Sequence, residues 1–362
     1  MQRIRERMRR HPVGWFFAIA LLTNVLVVAV LVSSGASAPL EAAIDTHWGG
    51  AQRTDFVSAF RLAVEAPQAI PGIALSILQP LTPDIAAFVV ATLAFGLVGV
   101  GKLVRGYRLW SGEVGRRRGL KVWGVMALTF VGMSLATAAL DALFMPHGTW
   151  TWDLDVSSWG FPTALFVALF LDVGAVTEET GWRGFAQPVL QGRMTPLAAT
   201  LVVGLLWGIW HFPARPDILL GGYGLGGGVA LLTILVARFL VLSIVMAHFY
   251  NRAGGSTLIA IAMHGLHNDS VGLMGRITGE GLAPYVISEL ALLAPVAAVA
   301  SWLLVLTRGR LGLDRSLEGR AMQEVTPSYA PGSSRSAFTR SRILVAARRY
   351  HGVCVLVRKG SP

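Results

Sequence analysis

Charge is what this chain has least of. Of its 362 residues only 14% are Asp, Glu, Lys or Arg, while 54% are hydrophobic. An ordinary soluble domain is about a quarter charged, so that class is excluded. Cysteine is scarcer still. Cys354 stands alone, which excludes an intramolecular disulfide framework and any cysteine-built metal cluster. No internal repeat is visible, which leaves no solenoid or tandem array. The net charge of +11 raises nucleic acid as a partner, but the basic residues cluster beside apolar runs, where anionic lipid headgroups are the better match. The expected partners are therefore membrane lipids and not nucleic acid.

What the chain does have is apolar runs near the ~20 residues that cross a bilayer. They fall at about residues 14 to 33, 85 to 103, 122 to 144, 162 to 191, 197 to 212, 226 to 250, 257 to 275 and 284 to 306. The fold class they predict is all-α, a polytopic transmembrane helix bundle of about eight spans. "MQRIRERMRR" before the first run resembles the start of a signal peptide, but the run is long and is read as an anchor. Residues 1 to 10 hold five arginines, residues 102 to 121 seven Lys or Arg, and the segment after 307 eleven, whereas residues 146 to 160 hold none. Eight alternating crossings put every basic segment, and both termini, on the cytoplasmic side. Residues 56 to 80, with Arg61, Glu65, Pro67 and Pro71, read as an interfacial or re-entrant element. From about 314 the composition turns polar and basic and predicts a disordered tail.

An ionisable side chain near the bilayer centre costs ~2.5 to 3.5 kcal/mol even on lenient scales, so each one inside a span is a functional candidate. Asp141, Asp172, Arg238 and Glu289 stand alone in their stretches, and the plain reading is a residue near an interface or one paired across helices. His248 in "MAHFYNR" lies near a cytoplasmic end and reads as interfacial, and most of the others gather in three short segments: "EETGWR" at 178 to 183, "WGIWH" at 207 to 211 and "HGLHN" at 264 to 268. Thr195 and Pro196 have the pattern of a helix N-cap and first turn, so the chain reverses near Met194. Glu178 lies 16 residues before that point and His211 17 after it. On antiparallel helices both then sit roughly 25 Å from the turn and can face each other. His264 and Asn268, four apart, share one helical face.

Glu178 and Glu179 are expected to differ in role, because adjacent helical positions point about 100° apart. Arg183 follows Glu179 by four residues, the arrangement of a helical ion pair. Glu178 is left to face His211, and a carboxylate beside an imidazole can hold a water between them as base and orienter. His264 and Asn268 offer hydrogen-bond donors from one face, the equipment that stabilises an oxyanion.

These segments resemble the EExxxR, FxxxH and HxxxN motifs of the CPBP family of intramembrane proteases, which includes type II CAAX prenyl endopeptidases and bacteriocin-processing or self-immunity proteins. The departure is Trp207 where the pattern usually has Phe. Carried onto this sequence, the resemblance implies that Glu178 activates water, that His211 orients it, that His264 and Asn268 form the oxyanion site, and that Glu179 and Arg183 support them. The resemblance covers about residues 120 to 275 and adds nothing elsewhere; the domain organisation expected is a protease core over 111–306, transmembrane and interfacial segments at 1–110 and a basic, disordered cytoplasmic tail at 307–362. No cofactor is favoured. The alternative is a zinc ion on Glu178, His211 and His264, with His267 nearby, although the chain has no HExxH helix. The substrate expected is a membrane-associated or lipid-modified peptide or protein. In a bacterium, which the Ala, Gly and Arg usage favours, the protein would lie in the plasma membrane. The competing class is a transporter or immunity scaffold that uses the buried polar cluster for proton relay or partner binding.

Overall fold

The computed structural model describes residues 2–48, 53–145, 149–151, 160–215, 218, 222–274, 276–278 and 281–313. They form the helices α1 (Gln2–Arg10), α2 (Pro12–Ser33), α3 (Ser37–Trp48), α4 (Phe56–Glu65), α5 (Ile70–Leu78), α6 (Thr82–Val90), α7 (Leu97–Arg105) and α8 (Arg116–Phe144). After these come α9 (Gly160–Phe170), α10 (Val173–Glu179), α11 (Gln187–Gln191), α12 (Pro196–Trp210), α13 (Gly224–Arg252), α14 (Thr257–Met274) and α15 (Leu282–Thr307). A short antiparallel ribbon pairs β1 (Thr149–Thr151) with β2 (Arg276–Thr278), Trp150 opposite Ile277. The fold is an all-α polytopic membrane bundle, and the expected disordered tail beyond 313 lies outside the described residues.

Among the described residues five helices are long and apolar enough to cross a membrane: α2, α8, α12 with the turn that follows it, α13 and α15. A sixth candidate is the pair Pro67–Leu78 and Thr82–Phe95, bent by 50°. The uninterrupted span expected at 85 to 103 is therefore not one helix. Gly96 has φ +67 and separates the turn ending at Phe95 from α7, a conformation glycine adopts without a Cβ penalty. The element expected at 56 to 80 is helical and packs with α3 around Ala43, Leu62, Ala66, Ala69 and Ile73. Its charges stay outside that core, with Arg61 and Glu65 paired at 2.8 Å.

The expected span at 162 to 191 is also interrupted. Asp172 takes extended backbone geometry and its side chain accepts from the Ala175 amide, so it ends α9 and caps α10. Thr180–Ala186 then widen into a π-helix before α11. A π turn inserts an extra residue into the helical ladder and frees backbone groups. One of them, the Gly181 N–H, donates to Asp84 Oδ1 of α6 at 2.8 Å. The reversal near Met194 follows the sequence reading, because Thr195 Oγ1 accepts from the Ala198 amide and Pro196 opens α12.

Two close helix contacts hold the elements that carry the motifs. On α12, Gly204 and Gly208 lie four apart against α13. A Cβ on Gly204 would stand 2.9 Å from Leu240 Cα, and one on Gly208 3.2 Å from Val236 Cα. Such small-residue stripes let membrane helices approach by backbone packing. On α14, a Cβ on Gly265 would stand 1.9 Å from the Ala168 carbonyl oxygen of α9. Backbone cannot yield there, so Gly265→Ala is expected to push α9 and α14 apart and lower stability by about 1–3 kcal/mol. Thermal melting in detergent reads this, and a wild-type midpoint would contradict the packing.

Candidate active site

The site is assembled from four short pieces of chain. The strand-like residues before α4 run antiparallel to the start of α10: Val173 N–H donates to Thr54 O at 2.7 Å and Phe56 N–H to Leu171 O at 3.0 Å. Thr54 Oγ1 donates to Asp172 Oδ2 at 2.9 Å. Asp172 Oδ1 accepts from Asn268 Nδ2 of α14 at 3.1 Å. The carboxylate that caps α10 thus also orients the asparagine on the facing helix.

Glu178 follows on α10, 4% exposed. Its Oε2 accepts from Trp207 Nε1 at 2.7 Å. Its other oxygen lies on the Gly174 side, where the absence of a side chain lets it approach the backbone closely. A Cβ there would lie 3.3 Å from Glu178 Oε1, 3.5 Å from Asn268 Nδ2 and 3.5 Å from Asp172 Oδ1. Glu178 and Asn268, ninety residues apart in sequence, therefore border the same small space.

Glu179 points elsewhere and is fully buried. Its Oε1 accepts from Arg183 NH1 at 2.8 Å and from His264 Nδ1 at 2.8 Å. Its Oε2 has no hydrogen-bond partner among the described residues. The i, i+4 ion pair that the spacing predicts is present, and the same carboxylate also tethers His264. Arg183 NH2 donates to Ser243 Oγ of α13 at 3.1 Å, so the guanidinium bridges two helices.

His211 closes α12. Its Nδ1 lies 2.8 Å from Trp207 O; a carbonyl only accepts, so Nδ1 carries the proton and Nε2 keeps its lone pair in the neutral ring. The imidazole stacks on Phe239 with centroids 4.1 Å apart. The residue of α12 that bonds Glu178 is Trp207, one turn before His211 on the same face.

By sequence Asp172 is one of the charges that stand alone in their stretches. Arg238 and Glu289 fit that reading, paired across helices at 2.9 Å. Asp172 pairs across helices too, but with a candidate site residue. Thr54 gave no signal because its role depends on a backbone bridge formed in the folded chain. For Asp172 the signal was local: an Asp three residues before Ala175, at the head of a new helix, has N-cap spacing.

Among the described residues no three His, Cys, Asp or Glu side chains are grouped to hold a metal ion. Each donor named for zinc is held through one atom, Glu178 Oε2 by the Trp207 indole, His211 Nδ1 by a carbonyl and His264 Nδ1 by Glu179, bonds that do not involve Glu178 Oε1 or either imidazole Nε2. His267 turns toward α8 and α15, lining a small cavity with Met133, Thr137 and Val296. No step below passes through a metal.

Fold and site together define an integral membrane protein with glutamates, histidines and an asparagine gathered between its helices. Residues 159–269, which contain all three motifs, match the family model described as type II CAAX prenyl endopeptidase Rce1-like. A 54-residue stretch is 44% identical to CAAX prenyl protease 2 of Methanococcus maripaludis, covering 15% of this chain and 20% of that protein. The chain thus spans about a fifth of the length of this curated relative. Both similarities support the resemblance to CPBP and CAAX-type proteases.

Proposed function

We propose that the protein is an intramembrane endopeptidase that hydrolyses a peptide bond with a water activated by Glu178. The observation that carries this reading is the convergence of Glu178 Oε1 and Asn268 Nδ2 on the space beside Gly174. A carboxylate and an amide donor brought together from two helices can serve attack and oxyanion at one carbonyl.

In this reaction Glu178 Oε1 takes a proton from water as the oxygen attacks the scissile carbonyl. His211 Nε2 accepts the water's second hydrogen bond and aims its lone pair. The tetrahedral oxyanion is held by the Asn268 amide and by the Nε2–H of His264. Donation from both nitrogens makes His264 an imidazolium, with Glu179 as its counter-ion. As the C–N bond breaks, the proton on Glu178 passes to the leaving amine, and the carboxylate is restored. Asp172 keeps the Asn268 amide turned toward the site.

The substrate is a membrane-associated peptide or protein, and the relative's name adds a prenylated C-terminus as one form of it. In a bacterial cell its location would be the plasma membrane. The test incubates detergent-purified protein with reporter peptides carrying or lacking an S-prenyl cysteine near the C-terminus. Cleavage of at least one is expected. Absence of product from both, with the protein folded, contradicts the proposal.

A further inference from the structure

We infer that Trp207 is a positioning residue that selects which oxygen of Glu178 acts as the base. This rests on the role proposed for Glu178 and adds a dependence on one indole N–H. An indole nitrogen can only donate, and Trp207 Nε1 spends its proton on Glu178 Oε2 at 2.7 Å with both residues buried. Oε1 is thereby turned to the Gly174 side, where Asn268 Nδ2 borders the same space. Among the described residues Oε1 has no protein hydrogen bond, so it is the oxygen left for water.

The donor is itself held rigidly. Arg183 lies over the indole face at 4.0 Å, Phe239 packs at 4.4 Å between centroids, and His264 meets it edge-on at 5.1 Å. Gly204 and Gly208 on either side bring α12 against α13, so the ring cannot shift without moving a helix contact. The backbone carbonyl of the same residue takes the proton of His211 Nδ1. Trp207 therefore sets the free oxygen of Glu178 and the tautomer of His211 at once. Phenylalanine, the usual residue in the motif this segment resembles, could pack here and accept the Arg183 cation, but could not bond the carboxylate. The departure from the pattern is then a functional part of this chain's site.

Two measurements test this. Trp207→Phe keeps an aromatic ring and the backbone carbonyl but removes the N–H, and a hydrogen bond to a charged group supports an expected fall of about 10- to 100-fold in kcat. KM is expected to stay within about twofold and the detergent melting temperature near wild type, because the carboxylate is misaimed and not the substrate pocket. Independently, the indole 15N–1H resonance that disappears in Trp207→Phe is expected to shift in full-length Glu178→Ala protein. Wild-type kcat in Trp207→Phe, or an indole resonance unmoved by Glu178→Ala, overturns the clamp while leaving the proposed reaction standing. Normal cleavage by Glu178→Gln overturns the reaction itself.

Discussion

Glu178→Gln is expected to lose cleavage by about 10³-fold or more while keeping its fold. General acid–base catalysis contributes about 10²- to 10⁴-fold, and here the same group takes the proton from water and returns it to the leaving amine. The amide of Gln can still accept from Trp207 Nε1, so the packing around position 178 survives. Its remaining end offers no strong base. Turnover of a reporter peptide and thermal melting in the same detergent separate chemistry from folding. Wild-type turnover would remove Glu178 from the reaction, and a collapsed melting curve would make it a structural residue.

Arg183→Ala is expected to act in the opposite way, through stability. Arg183 and Glu179 are both within 1% of complete burial and 2.8 Å apart, and the guanidinium also reaches Ser243 and the Trp207 ring. Breaking a buried pair from one side strands the other charge at a cost of about 3–5 kcal/mol. The carboxylate left behind would be Glu179, which keeps only His264 as a partner and whose second oxygen already lacks a hydrogen bond among the described residues. A large drop in melting temperature in detergent is expected, with Arg183→Lys recovering only part of it, because a single ammonium cannot reproduce the fork and the flat face over an indole. A wild-type melting temperature for Arg183→Ala would mean that the pair does not hold the segment together.

The two glutamates were separable in the sequence because helical spacing alone gives Glu179 a partner at position 183 and gives Glu178 none. The reversal at Thr195 and Pro196 was legible for a similar reason, since capping chemistry is local. The break at Asp172 is hidden from hydropathy, because apolar residues on both sides keep the average of the whole run high, and only the N-cap spacing of Asp172 ahead of Ala175 marks it. The π turn at Thr180–Ala186 changes no composition at all. It depends on Asp84, nearly a hundred residues away, accepting the freed Gly181 N–H. Trp207 was visible as an aromatic in a motif, but its hydrogen bond depends on how closely α12 approaches α10 in the folded bundle. Spacing thus located the helix faces, and tertiary contacts decided which side chain on each face touches Glu178.

The most direct test of water activation by Glu178 is a single turnover in H₂¹⁸O with enzyme in excess over a cleavable peptide. Attack by a water held on Glu178 places one ¹⁸O in the new carboxylate in that first turnover and leaves the Glu178 side chain unlabelled. Product carrying only ¹⁶O, with ¹⁸O appearing in Glu178, would show the glutamate itself forming the bond and would contradict the account.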